Sequence, residues 1–354
     1  MAMELFEPAG RATLVGSMPH TDPERAVRVV LETMPEIPVW PQLPKYAAEQ
    51  MMLQYLEGLP GVRQKDGRVW VDTENSDQEI LAFYEDYLAV ETTPSLVDHS
   101  RFAMGEATGR TFRLFLDRLT QKLDAVKAIK GQIVGPLTLL SGLTDQHRRA
   151  LLFDDRLRDI VVKHLAMKAL WQVHQLRRCG KPVILFLDEP ALAGFGTSAM
   201  LTVSADDIKS LITQVAEPLR QAGALVGVHV CANTDWGLMF ECPLDIINMD
   251  AYQFFDRFVL YRQQCLKFLN QGGIVAWGMV PTSEEALIDT VSAESLAEQW
   301  RDNVRTLCGS ELSEASVLRQ SLVTPSCGCG TLSERHAEQV AELTRDLSRI
   351  LRGL

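Results

Sequence analysis

Residues 204–231 read SADDIKSLITQVAEPLRQAGALVGVHVC, and this one stretch contains the repeating unit of the fold. Ser204 stands where a helix needs an N-cap, because its hydroxyl can accept from the free N–H groups of a first turn. Ile208, Leu211, Ile212, Val215 and Leu219 then recur at helical spacing and define one apolar face. Gly223 is the stop, since glycine enters the left-handed conformation that ends a helix without a side-chain penalty. Ala224 to Cys231 is short, rich in valine and apolar throughout, the pattern of a strand buried on both faces.

The same alternation runs along the chain. Short apolar runs bounded by Gly, Pro or Asp lie at 12–17, 38–43, 131–136, 182–190, 224–231, 244–251, 273–280 and 321–328. Between them lie helical segments. Asp22-Pro23-Glu24 supplies an N-cap and an N1 proline. Thr331 and Glu334 have capping-box spacing ahead of a last helix carrying Ala337, Val340, Leu347 and Leu351. Eight such units predict an α/β fold, a (β/α)8 TIM barrel forming a single domain over 1–354. A doubly wound open sheet has similar local patterns. Residues 70–127 are too many for a simple crossover, so the spacing predicts a helical insertion after the second strand, with helices over 77–91 and 109–129.

Composition narrows the function. With 46% hydrophobic residues in 354, the chain can build a large core. A net charge of −11 argues against nucleic acid or an anionic membrane surface as partner. No apolar run is long enough to span a bilayer. The first residues, MAMELFEPAGRATLVGS, lack the basic start and apolar centre of a signal peptide, so a cytoplasmic protein is expected. Seven cysteines without such a signal suggest metal or thiol chemistry rather than a disulfide framework.

The ends of the strands carry the chemistry. In a strand, residues i and i+2 share a face, so His229 and Cys231 converge on one spot. Gly16-Ser17 with His20 beyond, Gln42, Asp188-Glu189, Asp250, and Cys327 with Cys329 also fall at C-terminal strand ends. Barrel active sites lie at those ends. Cys327 on the last strand could close against His229 and Cys231, with Asp250 or a substrate atom as fourth ligand, and such a donor set suits zinc. Cys329 is the alternative to Cys327. His20 is either an active-site group or a cap. The remaining histidines and cysteines read as packing or surface residues.

These motifs, in this order, resemble the catalytic barrel of cobalamin-independent methionine synthase, within the superfamily that includes uroporphyrinogen decarboxylase. The resemblance runs from TLVGSMPHT (13–21) to TPSCGCG (324–330). It implies that Gly16 and Ser17 hold substrate, that Asp188 in the intact DEPAL motif (188–192) meets the substrate amino group with Glu189 nearby, and that His229, Cys231 and Cys327 bind zinc. Asp250 stands where the family has a ligating glutamate. GPLTLL (135–140) also matches, but the tryptophan that follows in the family is replaced by Ser141-Gly142-Leu143. AWGMVPTSEE (276–285) lacks the family's histidine, and the family's N-terminal barrel has no counterpart here.

The resemblance therefore implies a zinc-dependent methyltransferase that activates a small thiol, homocysteine foremost, with Asp188 and His20 as catalytic groups. The missing donor-side groups favour a methylcorrinoid such as methylcobalamin, free or on a corrinoid-carrying partner protein, over methyltetrahydrofolate. A uroporphyrinogen decarboxylase-like enzyme and a non-catalytic zinc or corrinoid binder are the alternatives.

Overall fold

The computed structural model describes residues 6–197 and 200–354. Nine strands occur among them: β1 (Arg11–Ala12), β2 (Val62–Lys65), β3 (Arg68–Val71), β4 (Ile129–Val134), β5 (Val183–Asp188), β6 (Leu225–Val230), β7 (Ile246–Asp250), β8 (Ile274–Val280) and β9 (Ser321–Pro325). Seven form a curled parallel sheet in the order β1-β9-β8-β7-β6-β5-β4. From β4 to β9 each strand lies beside the next in sequence, as helical crossovers between parallel strands require. The first strand then pairs with the last, Arg11 with Leu322 and Ala12 with Val323.

The expected second strand is not a regular one. Residues 38–42 make isolated parallel bridges instead, Val39 to Lys130 on one side and Ser17 to Gln42 on the other. An antiparallel hairpin, β2 with β3, was not expected. It turns through Asp66 and Gly67, both at positive φ, the two-residue turn that Asp-Gly favours. In the insertion, helix Asp77–Thr92 forms as predicted, but the helix predicted over 109–129 spans only Arg110–Leu119. Ser204 caps its helix through a capping box with Asp207. The last helix is capped by Ser333, not Thr331.

Strand alternation divides the core in two. Val183, Leu185 and Leu187 of β5 pack outward against helices, as do Ile247 and Met249 of β7. Ile184, Phe186, Ile246, Ile274, Ala276 and Leu322 form a separate apolar cluster on the concave side. Continuing along the same inward positions, two residues at a time, the chain reaches Asp188, His229, Asn248, Asp250 and Thr324, all buried. The concave face is thus apolar toward the strand N-termini and polar toward their C-termini. No described helix is long and apolar enough to cross a membrane.

Candidate metal centre

A cavity of about 340 Å³ opens at the C-terminal edge of the sheet, with Ser17, Gln42, Glu49, Asp188, His229 and Cys231 among its lining residues. Cys327 completes the polar end of its wall. His229, Cys231 and Cys327 each offer a ligand atom, and these atoms lie within 4.8 Å of one another. His229 is the penultimate residue of β6, and Cys231 directly follows that strand. Cys327 comes two residues beyond β9. Two strands, β7 and β8, separate β6 from β9, so only the curl of the sheet brings the thiols together.

The two cysteines are unlike. The nearby Cys327 and His229 pull the Cys231 thiol down to about 4, against the effect of burial. The proximity of Cys231, with burial, pushes Cys327 up. A cation bound between them would displace their thiol protons. Burial works against a charge on His229, but the neighbouring Cys231 and Asp188 raise it above its ordinary value. His229 Nδ1 lies 2.6 Å from Asn248 Oδ1, while Nε2 is buried without a hydrogen-bond partner.

Asp188 ends β5 directly beside His229, and Cα pairing joins the two residues. Burial pushes its carboxyl up to about 6, and Oδ1 has no partner among the described residues. Beneath it, Lys130 is fully buried, donates to Val15 O at 2.6 Å and lies 4.3 Å from the centre of the Phe186 ring. Burial pulls this amine down to about 8, while the Asp188 charge acts in the other direction.

The other expected site residues divide. Ser17 lines the cavity. Gly16 adjoins it at φ +147°, where a Cβ would come within 2.7 Å of the Gln132 side chain, so the close approach requires glycine. Glu189 points away from the cavity because neighbouring residues in extended chain face opposite sides. It is fully buried, and its carboxylate accepts from Leu137 N at 2.8 Å, Thr138 N at 2.8 Å and Thr138 Oγ1 at 2.6 Å. It caps helix Pro136–Gly142 from outside the helix, so its carboxylate is engaged there and not at the cavity wall.

His20 is likewise fully buried outside the cavity wall, 3.1 Å from Glu338 Oε1 through Nε2. Asp250 stands outside the close His-Cys-Cys group and instead accepts from Gln253 N at 2.8 Å. Cys329 is buried and also outside the group. The sequence reading missed Lys130, Gln132, Glu49 and Asn248. Lys130 and Gln132, two apart in an otherwise apolar run, and Asn248, two before Asp250, carried the signal in their spacing. Glu49, with its oxygens on Leu43 N and Thr111 Oγ1, carried none. A larger hollow of about 700 Å³ lies elsewhere, beside Tyr87, His174 and Arg178, away from the ligand group.

No family model and no curated protein matches the chain. Among solved structures it is similar to the tandem GH20 catalytic modules of the pneumococcal exo-β-D-N-acetylglucosaminidase StrH. The TM-score is 0.49 and the identity 9%, over 96% of this chain and 85% of that one. A likeness so weak carries no functional reading. The expected membership of the methionine synthase family is corrected by these results, since no family model and no curated protein of that family matches the chain. With it fall the homocysteine methyltransferase activity, the place in methionine biosynthesis and the methyl donors assigned on its strength.

Proposed function

We propose that the chain is a metal-dependent catalytic protein whose single site is the cavity at the C-terminal edge of the sheet. His229, Cys231 and Cys327 would hold one divalent cation, and zinc is the ion that a His-Cys-Cys set with one imidazole and two thiolates suits best. At Zn–S of about 2.3 Å and Zn–N of about 2.0 Å, tetrahedral ligands stand roughly 3.5–3.8 Å apart. Ligand atoms within 4.8 Å of one another need only small adjustment to meet that geometry. The carrying observation is the buried, unpartnered Nε2 of His229 in a group whose three ligand atoms lie within 4.8 Å of one another.

Three protein ligands at a cavity wall match the open arrangement of catalytic zinc rather than the closed one of structural zinc. When bound, such an ion polarises or acidifies a polar group of a small molecule. Asp188, buried and short of partners on the same wall, is placed to take up a proton from that molecule. Ser17, Gln42 and Glu49 supply polar contacts that would orient it. We also infer that residues 38–42 complete the sheet as an eighth member and close a (β/α)8 barrel; their bridges to Lys130 and to Ser17 support this reading. Seven unpaired cysteines fit a reducing compartment.

Cobalt substitution tests the reading. Cobalt(II) in this site should give intense thiolate charge-transfer bands, and adding azide or imidazole should change its ligand-field spectrum. A spectrum without thiolate bands would overturn the ligand set. Thiolate bands unaffected by every small ligand would reduce the site to a structural one.

A further inference from the structure

We infer that Asn248 is a positioning residue that fixes His229 as the Nδ1–H tautomer and thereby turns the lone pair of Nε2 toward the two sulfurs. The consequence for metal binding rests on the reading above; the tautomer itself does not. Asn248 is fully buried on β7, and His229 on β6 is its Cα partner. Its Nδ2 lies 2.9 Å from Ala276 O and 2.9 Å from Thr324 Oγ1. A backbone carbonyl oxygen can only accept, so the amide atom facing Ala276 must be the NH2 group. The reverse orientation would set two oxygens against each other in a buried place.

Oδ1 of Asn248 therefore faces His229 Nδ1 at 2.6 Å. A carboxamide oxygen also only accepts, so Nδ1 must carry the hydrogen and donate. In a neutral imidazole the other nitrogen then holds the lone pair. That nitrogen, Nε2, is the buried ring atom without a partner. The lock crosses four strands, since β8 supplies Ala276 and β9 supplies Thr324. It fixes the plane of the ring as well as its tautomer, because Asn248 is held by bonds on both sides. Outer partners of this kind orient metal-binding histidines, and losing one lowers metal affinity about 10–100-fold.

Nitrogen-15 histidine spectra of the metal-free protein at mildly alkaline pH test the tautomer, and zinc competition with a chelator tests its consequence. Wild type should show His229 protonated at Nδ1 alone. Asn248→Leu should lose that preference and bind zinc about 10–100-fold more weakly. Asn248→Asp, which keeps an acceptor for Nδ1–H, should retain the wild-type tautomer. A wild-type ring protonated at Nε2 overturns the inference even if no variant folds. So does an Asn248→Leu protein with unchanged tautomer and unchanged affinity. A wild type that shows the Nδ1–H form but takes up no zinc would support the tautomer lock and sink the metal reading instead.

Discussion

Replacing Glu189 by glutamine should change how stability depends on pH, and the structure gives both sign and size. The carboxylate is fully buried against the first turn of helix Pro136–Gly142, with three donors on it. Those bonds favour the charge, but burial outweighs them and pushes the carboxyl from an ordinary 4.5 up to about 7. Between these values the folded chain keeps a proton that the unfolded chain has lost. The resulting contribution to stability is complete below pH 4.5 and is lost as the pH rises through about 7.

A difference of that size is worth about 3 kcal/mol. Glutamine does not titrate, so the stability of wild type relative to Glu189→Gln should fall by about that amount across the window. Urea unfolding of both metal-free proteins over a pH series measures it, and removing metal keeps thiol ionisation out of the comparison. An independent perturbation converges on the same contact. In Gly135→Ala the new Cβ would lie 2.2 Å from Glu189 Cδ, so the carboxylate must leave the helix terminus. That variant should lose about 1–3 kcal/mol. A wild-type advantage over glutamine that stays constant, or grows with pH, would refute the argument and mean that the carboxylate is ionised at its ordinary value.

Three further outcomes follow from the site. Gly16→Ala should lower the melting temperature, at a cost of about 1–3 kcal/mol, because the backbone there is left-handed and Gln132 blocks the Cβ; an unchanged melt would mean the loop moves freely. Zinc affinity should fall as the pH is lowered, since Cys231 and Cys327 must bind as thiolates and protons compete for them, and a pH-independent chelator competition would contradict thiolate ligation. Cys327→Ser should lose bound zinc while Cys329→Ser keeps it, because only Cys327 belongs to the close group; elemental analysis showing the reverse would exchange their roles.

Much of this architecture could be read from the sequence because buried parallel strands are short, apolar and separated by capped helices. The runs at 182–190, 224–231, 244–251 and 273–280 contain β5, β6, β7 and β8. The hairpin at 62–71 escaped notice although Asp66-Gly67 announces its turn, because Arg63, Gln64, Lys65 and Arg68 hide the strand pattern. The helix beginning at Arg110 stops at Leu119 although the residues beyond it can continue a helix; the chain must turn there to enter β4 at Ile129, a tertiary demand that local propensity does not contain.

At the site, the i, i+2 rule places His229 and Cys231 together, and the strand-end position of Cys327 brings in the third member of the group. The directions of Glu189 and His20 were not legible, because adjacency in sequence to strand-end motifs does not say which way a side chain points; one turns to a helix terminus and the other to Glu338. Asn248 was passed over because its role depends on partners 28 and 76 residues away. The motif likeness to methionine synthase gave a function that no matching family model or curated protein supports.

X-ray absorption at the zinc edge, on protein loaded with one equivalent of zinc, tests the central claim most directly. The account predicts a shell of two sulfur neighbours at about 2.3 Å and one imidazole nitrogen at about 2.0 Å, with one further light atom. A shell of oxygen and nitrogen alone, or zinc that washes away without binding, would contradict it.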